Sequence, residues 1–204
     1  MVIYLERTAE GPDEGALVLL HGRGSSEHDL YPLLDAFDPE RRLDGYTLRA
    51  PMAPPGQGFH WYVVPRVGYP DPASFNASYA EAGAWLDALP HEKIILGGFS
   101  QGAVMSYALG LGSDRKRATA VIGLSGFVPV VPGWDIAAPF PPIFLAHGTY
   151  DSIIPLSFAH ASRDRLEAAG ATLDYRESPM DHQIDPRVVQ ELPGWIRGVL
   201  SAAD

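Results

Sequence analysis

Three polar side chains of this 204-residue chain could act together as a nucleophile, a base and an acid: Ser100, His182 and Asp151. A free serine hydroxyl is a poor nucleophile at neutral pH and needs a neighbouring base. An imidazole in that role needs an acceptor that fixes its tautomer and stabilises its protonated form. These three side chains could therefore support acyl transfer, provided that the fold brings them together.

The strongest local signal surrounds Ser100. Residues 98–102 fit the G-x-S-x-G pattern, which marks a sharp turn between a strand and a helix. The apolar run from Ile94 to Leu96 predicts a buried strand before the turn, and residues 103–111 predict a helix that is apolar nearly all round. Such a turn holds the serine in a strained conformation with its hydroxyl raised above the sheet. The alternative is an incidental serine in a glycine-rich turn.

Asp151 and His182 also follow predicted strands, over residues 143–147 and 172–177. Ligands of parallel sheets bind outside the carboxyl ends of the strands, so the partners of Ser100 are expected in loops that follow strands. The chain order Ser, Asp, His is the order that α/β-hydrolases use. We therefore predict these three residues as a catalytic triad.

Other polar residues near the predicted triad are weaker candidates. Asp181 adjoins His182, and neighbours on an extended segment point in opposite directions, so it is poorly placed to accept from the imidazole. Ser125 ends a strand without a glycine-flanked turn, so its hydroxyl is predicted to bond locally. His21 and His147 end strands before glycines and are predicted to tie neighbouring loops together.

The order of elements predicts the fold class. Apolar strands alternate with helical segments, which is typical of βαβ units and a parallel sheet. We expect a compact α/β fold, with a mostly parallel sheet of about seven strands, helices on both faces and no separate lid domain. Residues 1–204 are expected to form one domain. The Pro-rich, aromatic stretch of residues 51–74 is either the wall of a ligand pocket or a packed connector.

Composition excludes several classes of function. The net charge is −10 with no basic run, which disfavours nucleic acid as a partner. The absence of cysteine excludes a disulfide scaffold, thiolate metal sites and a cysteine nucleophile. The sequence contains no H-E-x-x-H motif, so no metal site is predicted. It contains no apolar run long enough to cross a bilayer, so stable membrane insertion is not expected. A cytoplasmic protein acting on a small-molecule ester is expected, and a homodimer is possible.

Several motifs together resemble the phospholipase/carboxylesterase family, which includes small bacterial carboxylesterases and acyl-protein thioesterases. The resemblance covers about residues 16–200 and rests on residues 20–24 (Leu-His-Gly-Arg-Gly), 50–51 with 61–62, 98–103, 124–126, 147–151 and 181–182. It implies the α/β-hydrolase fold, the same triad and no cofactor. The family's oxyanion donors correspond to the backbone N–H groups of Arg23 and Gln101. Arg23 is a departure, because many members carry leucine there.

These observations lead to one expected activity and its alternatives. We expect a serine carboxylesterase that hydrolyses short- to medium-chain esters through an acyl-enzyme. The substrate is expected in an open, partly aromatic site near Trp61, Tyr62, Phe127 and Val128. Within the family, a lysophospholipase or an acyl thioesterase is the alternative. A non-catalytic α/β-hydrolase scaffold that binds a small molecule is the alternative from another class.

Overall fold

The computed structural model of the protein describes residues 2–12, 14–115 and 118–203. Seven strands and five helices are found within these ranges. The strands are β1 (Tyr4–Arg7), β2 (Ala16–Leu20), β3 (Asp44–Leu48), β4 (Ile94–Phe99), β5 (Ala120–Leu124), β6 (Ile143–Gly148) and β7 (Leu173–Ser178). The helices are α1 (Tyr31–Phe37), α2 (Pro72–Asp87), α3 (Gln101–Leu111), α4 (Leu156–Ala168) and α5 (Pro186–Ala202).

All seven strands belong to one sheet in the order β1-β3-β2-β4-β5-β6-β7. Only β1 at the edge is antiparallel to its neighbour, and the other six strands run parallel. The carboxyl ends of β2, β4, β5, β6 and β7 therefore meet along one edge of the sheet. The predicted α/β-hydrolase architecture is confirmed, including its mostly parallel sheet of seven strands.

Helices cover both faces of the sheet, as continuous apolar strands require. On β2, Leu17 and Leu19 point into a core that is completed by α1 and α5. Ala16, Val18 and Leu20 point the other way, into a larger core with α2, α3 and α4. Helix α3 is buried along its whole length, in agreement with its apolar sequence.

Element boundaries differ from expectation where proline acts with a capping residue. The irregular aromatic stretch was expected to reach residue 74, but α2 begins at Pro72 with Asp71 as its cap. The Asp71 carboxylate accepts from the N–H of Ser74 at 2.9 Å. Proline suits the first turn of a helix, because its missing N–H would have no partner there.

The aromatic stretch before α2 is folded over the sheet edge instead of forming a separate layer. Isolated antiparallel bridges join Met52 to His60 and Ser25 to Phe59. The described residues add no further domain above this edge, as predicted. No helix among them is both long and apolar enough to span a bilayer.

Candidate active site

Ser100 occupies a strained turn between β4 and α3. Its φ of 56° and ψ of −119° lie in a backbone region that residues other than glycine rarely adopt. The backbone N–H of Ser100 donates to the carbonyl of Leu124 at 2.9 Å, which extends the pairing of β4 with β5 to the turn itself. A Cβ on Gly102 would collide with the carbonyl oxygens of Leu20 and His21. Glycine at this position therefore lets the start of α3 approach the end of β2.

The structure brings Ser100, His182 and Asp151 into one hydrogen-bonded chain. The Oγ of Ser100 lies 2.9 Å from Nε2 of His182. The Nδ1 of His182 lies 2.7 Å from Oδ2 of Asp151. The two ring nitrogens of His182 thus face a hydroxyl on one side and a carboxylate on the other, which is the arrangement needed for proton transfer from serine.

Asp151 is fixed by the loop that follows β6. Its Oδ1 accepts from the N–H groups of Ile153 at 2.9 Å and Ile154 at 2.7 Å, and its side chain is fully buried. His147 lies behind it and bonds through Nε2 to the carbonyl of Ile154 at 2.8 Å. Burial lowers the pKa of His147, so this ring is a neutral donor that holds the loop.

Side chains outside the predicted triad hold the His182 loop in place. The ring of Phe99 packs against the imidazole of His182 with centroids 4.8 Å apart. The hydroxyl of Ser125 donates to the carbonyl of Gln183 at 2.9 Å, so the prediction of a local bond for this serine was wrong: its partner lies in the loop of His182. The Asp181 carboxylate accepts from the N–H of Ser152 at 2.8 Å and does not contact the imidazole. Its exclusion as the triad acid therefore agrees with the geometry.

Two backbone N–H groups near Ser100 are available to a ligand. Among the described residues, the N–H groups of Arg23 and Gln101 have no hydrogen-bond acceptor. Gln101 is the first residue of α3, where the positive end of the helix dipole lies. The loop of Arg23 is held by His21, whose Nε2 accepts from Ala50 N at 3.0 Å while Nδ1 donates to the carbonyl of Gly22 at 2.7 Å. His21 is therefore structural, as predicted.

The side chain of Gln101 has a role that the sequence did not indicate. Its Oε1 accepts from the N–H of Trp61 at 2.8 Å, and its Nε2 donates to the carbonyl of Tyr62 at 2.7 Å. The indole N–H of Trp61 donates in turn to the carbonyl of His21 at 2.8 Å. Together these bonds fasten the aromatic stretch to both the serine turn and the end of β2.

A small apolar cavity of about 100 Å³ opens beside Ser100. Of the predicted substrate-binding residues, Tyr62 and Phe127 line it. Trp61 does not, because its indole is buried beneath the aromatic stretch with 1% exposure. Val128 lines a neighbouring groove of about 260 Å³ instead. Five further walls come from residues 51–74, the stretch considered as a pocket wall: Val64, Val67, Gly68, Tyr69 and Pro70. Ile153 and Ile154 were not predicted.

A larger polar cleft of about 430 Å³ lies at the opposite edge of the sheet, between Gly15 and Lys93. It is remote from Ser100, and parallel sheets bind ligands at their carboxyl edge, so the smaller cavity is the candidate site. Among the described residues, no group of three or more carboxylate or imidazole side chains is arranged to hold a metal ion.

Comparison with known proteins identifies the family. A sequence model described as Phospholipase/Carboxylesterase matches residues 75–200, which is more than half of the chain. The chain belongs to the phospholipase/carboxylesterase family. Over 212 aligned positions it is 28% identical to acyl-protein thioesterase 1 of Yarrowia lipolytica, covering 92% of this chain and 93% of that protein. The chain is therefore an α/β-hydrolase of the esterase and acyl-protein thioesterase family.

Solved structures of similar fold agree with this assignment. The carboxylesterase of Bacillus cereus superposes with a TM-score of 0.85 at 22% identity, over 98% of this chain and 95% of that one. Acyl-protein thioesterase 2 of Zea mays superposes with a TM-score of 0.78 at 23% identity, over 97% of this chain and 99% of that one. At these identities the likeness concerns the fold.

Proposed function

We propose that this protein is a serine carboxylesterase that hydrolyses short- to medium-chain esters through an acyl-enzyme. The observation that carries the proposal is the hydrogen-bonded chain from Ser100 through His182 to Asp151, with distances of 2.9 and 2.7 Å. A strained serine turn at the start of a helix, at the mouth of an apolar cavity, supports the same activity.

In the proposed reaction, Ser100 Oγ attacks the ester carbonyl carbon while His182 Nε2 takes the hydroxyl proton. The carbonyl π electrons move onto oxygen and form a tetrahedral oxyanion. When the carbonyl reforms, the ester C–O bond breaks and His182 returns the proton to the leaving alcohol. Water then attacks the acyl-enzyme with His182 again as the base, which releases the acid and restores Ser100. Asp151 orients the imidazole and stabilises its positive charge.

The oxyanion is proposed to accept hydrogen bonds from the backbone N–H groups of Arg23 and Gln101. Neither donor is engaged by another described residue, so both can point at a developing charge without first breaking a bond. Removal of one such donor from an enzyme typically costs about 3 kcal/mol in the barrier. The side chain of residue 23 is irrelevant to this role, since only its N–H takes part.

The size of the cavity supports short acyl groups. Its volume of about 100 Å³ is small against the ~300–1,000 Å³ of pockets for drug-sized ligands. The walls formed by Tyr62, Phe127 and Ile154 are fixed by burial and hydrogen bonds. A long acyl chain would have to leave this cavity and lie across the surface.

The proposal is tested with a series of p-nitrophenyl esters, from acetate to palmitate. We expect kcat/KM to peak at short or medium chains and to vanish in Ser100→Ala. A fluorophosphonate probe should label the wild type on Ser100 and leave the variant unlabelled. Turnover by Ser100→Ala at the wild-type rate, or a wild type that neither hydrolyses any ester nor reacts with the probe, would refute the serine mechanism.

Thioester hydrolysis is the second candidate. It is favoured by the similarity to acyl-protein thioesterase 1 of Yarrowia lipolytica over nearly the whole chain. The same serine chemistry would act on a thioester, with a thiol as the leaving group. Matched oxygen and thiol esters of butyrate separate the two: a higher kcat/KM on the thioester would favour this candidate.

A further inference from the structure

Two of the arginines that the structure describes have no carboxylate partner. Of the twelve arginines within the described residues, ten form ion pairs with aspartate or glutamate. Arg23 and Arg66 are the exceptions in that part of the chain, although acidic residues outnumber basic ones by 25 to 15. With carboxylates in such excess, an unpaired arginine is unusual and calls for a physical reason.

Both unpaired arginines lie at the candidate active site. Arg23 is exposed and lines the cavity beside Ser100. Arg66 is also exposed, and its guanidinium carbon lies 3.6 Å from the centroid of the Tyr69 ring, which forms another wall of the same cavity. Tyr69 thus holds Arg66 next to the cavity by a cation–π contact.

Two carboxylates of the loops that carry Arg23 and His182 are already engaged. Glu27, in the same loop as Arg23, is buried and pairs with Arg49. The Asp181 carboxylate accepts hydrogen bonds from the backbone N–H groups of Ser152 and His182. No aspartate or glutamate is among the described residues that line the cavity. Among the described residues, no carboxylate lies within ion-pair distance of Arg23 or Arg66.

We propose that Arg23, assisted by Arg66, binds a carboxylate carried by the substrate, so that the preferred substrates are esters with a free carboxylate on the acyl or the alcohol side. A guanidinium presents paired N–H groups that match the two oxygens of a carboxylate. It would also attract an anionic substrate to a site on a protein that otherwise repels anions. The inference rests on the proposed esterase activity and adds the class of ester.

Matched pairs of esters test this inference. In one pair the carboxylate is on the acyl side: the mono-p-nitrophenyl ester of suberic acid against its methyl ester. In the other pair it is on the alcohol side: 4-acetoxybenzoate against its methyl ester. We expect wild type to show a higher kcat/KM for the anionic member of one pair. The ratio of anionic to neutral kcat/KM should fall about tenfold in Arg23→Leu, equivalent to ~1.4 kcal/mol.

The ratio of anionic to neutral kcat/KM should depend on the charge of residue 23 rather than on the shape of its side chain. Arg23→Lys should retain part of the preference, and Arg66→Leu should lose a smaller part than Arg23→Leu. Raising the salt from about 0.02 M to about 0.5 M should reduce the ratio in wild type but not in Arg23→Leu, because salt screens exposed charges. Arg197→Leu is the matched control, since that exposed arginine pairs with Glu40 elsewhere on the surface.

Three results would overturn the inference while leaving the esterase intact. These are equal or higher kcat/KM for the neutral member of both pairs, equal loss on both members in Arg23→Leu, or a preference that salt does not change. If wild type hydrolyses no ester, the proposed function fails separately. Calorimetric titration of Ser100→Ala and the double variant Ser100→Ala/Arg23→Leu with monomethyl suberate then decides the matter. Equal affinity, or no binding to either protein, would refute the role of Arg23.

Discussion

Replacing Gln101 by alanine should destabilise the protein although the residue adjoins Ser100, the proposed nucleophile. The amide of Gln101 makes two hydrogen bonds to the main chain of Trp61 and Tyr62, and all three residues are buried. In the alanine variant, the N–H of Trp61 and the carbonyl of Tyr62 lose their partners. A buried polar group without a partner costs about 1–3 kcal/mol, so we expect a loss of roughly 2–4 kcal/mol in the free energy of unfolding.

This loss is measured by urea unfolding of wild type, Gln101→Ala and two controls. In Gln101→Glu the size of the side chain is kept, but the donor to Tyr62 is replaced by a carboxylate oxygen that faces a carbonyl. We expect this variant to be destabilised as well. Gln190→Ala changes an exposed glutamine on α5 and should alter the free energy of unfolding by less than about 0.5 kcal/mol.

Activity in Gln101→Ala should fall for a reason that is separate from the proposed oxyanion hole. The N–H of residue 101 remains, but the wall formed by Tyr62 loses its anchor, so KM for short esters should rise. The reasoning would be refuted if Gln101→Ala unfolded at the same urea concentration as Gln190→Ala. In that case water would replace the two hydrogen bonds without lowering the free energy of unfolding.

Three further perturbations test the fold and the site. Gly102→Ala should prevent folding or lower the free energy of unfolding by more than about 3 kcal/mol, because the new Cβ would meet backbone oxygens that cannot move aside. In the control Gly198→Ala, the new Cβ faces open space on a helix, so thermal unfolding should show a neutral or stabilising effect. Burial lowers the pKa of His147 in the folded protein, so at low pH the unfolded chain binds a proton that the folded protein does not, and the free energy of unfolding falls as the pH drops below about 6.5. In His147→Gln, which keeps a donor, urea unfolding at pH 7.5 and 5.5 should show a pH dependence of this free energy that is smaller by up to about 1.4 kcal/mol. Asp151→Asn should lower kcat by about 10⁴-fold while Asp181→Asn lowers it by less than about tenfold, and equal losses in steady-state assays would contradict the assignment of the acid.

The fold was predictable because its signals are local and agree with one another. The runs Ala16–Leu20 and Ala120–Leu124 are apolar throughout, which strands covered on both faces require. The parallel arrangement then places every loop that follows a parallel strand at one edge. The positions of Ser100, Asp151 and His182 in such loops were therefore sufficient to predict that they would meet.

The cavity walls were less predictable because they depend on how an irregular segment folds. Aromatic residues in the stretch before α2 were expected near substrate, yet the indole of Trp61 is turned into the core while Tyr69 reaches the cavity. The difference is set by long-range hydrogen bonds, such as that from Trp61 to the carbonyl of His21. No periodicity in a proline-rich segment reveals such partners. A glutamine after the serine could have been noted as a donor and acceptor pair, but its partners lie about forty residues away.

The geometry of the proposed triad depends on backbone contacts between loops as much as on the three side chains. At Gly102 the start of α3 lies against the carbonyls at the end of β2, and a Cβ on Gly22 would lie 3.5 Å from the Cβ of Ser100, so the loop after β2 reaches the serine turn. At Gly148 a Cβ would meet the carbonyls of Met180 and Asp181, so the aspartate loop and the histidine loop touch there directly. Backbone contacts of this kind leave little freedom for the loops to separate. Backbone packing at the sheet edge therefore fixes the distances from Ser100 to His182 and from His182 to Asp151. This argues that the site is preorganised before any ester binds.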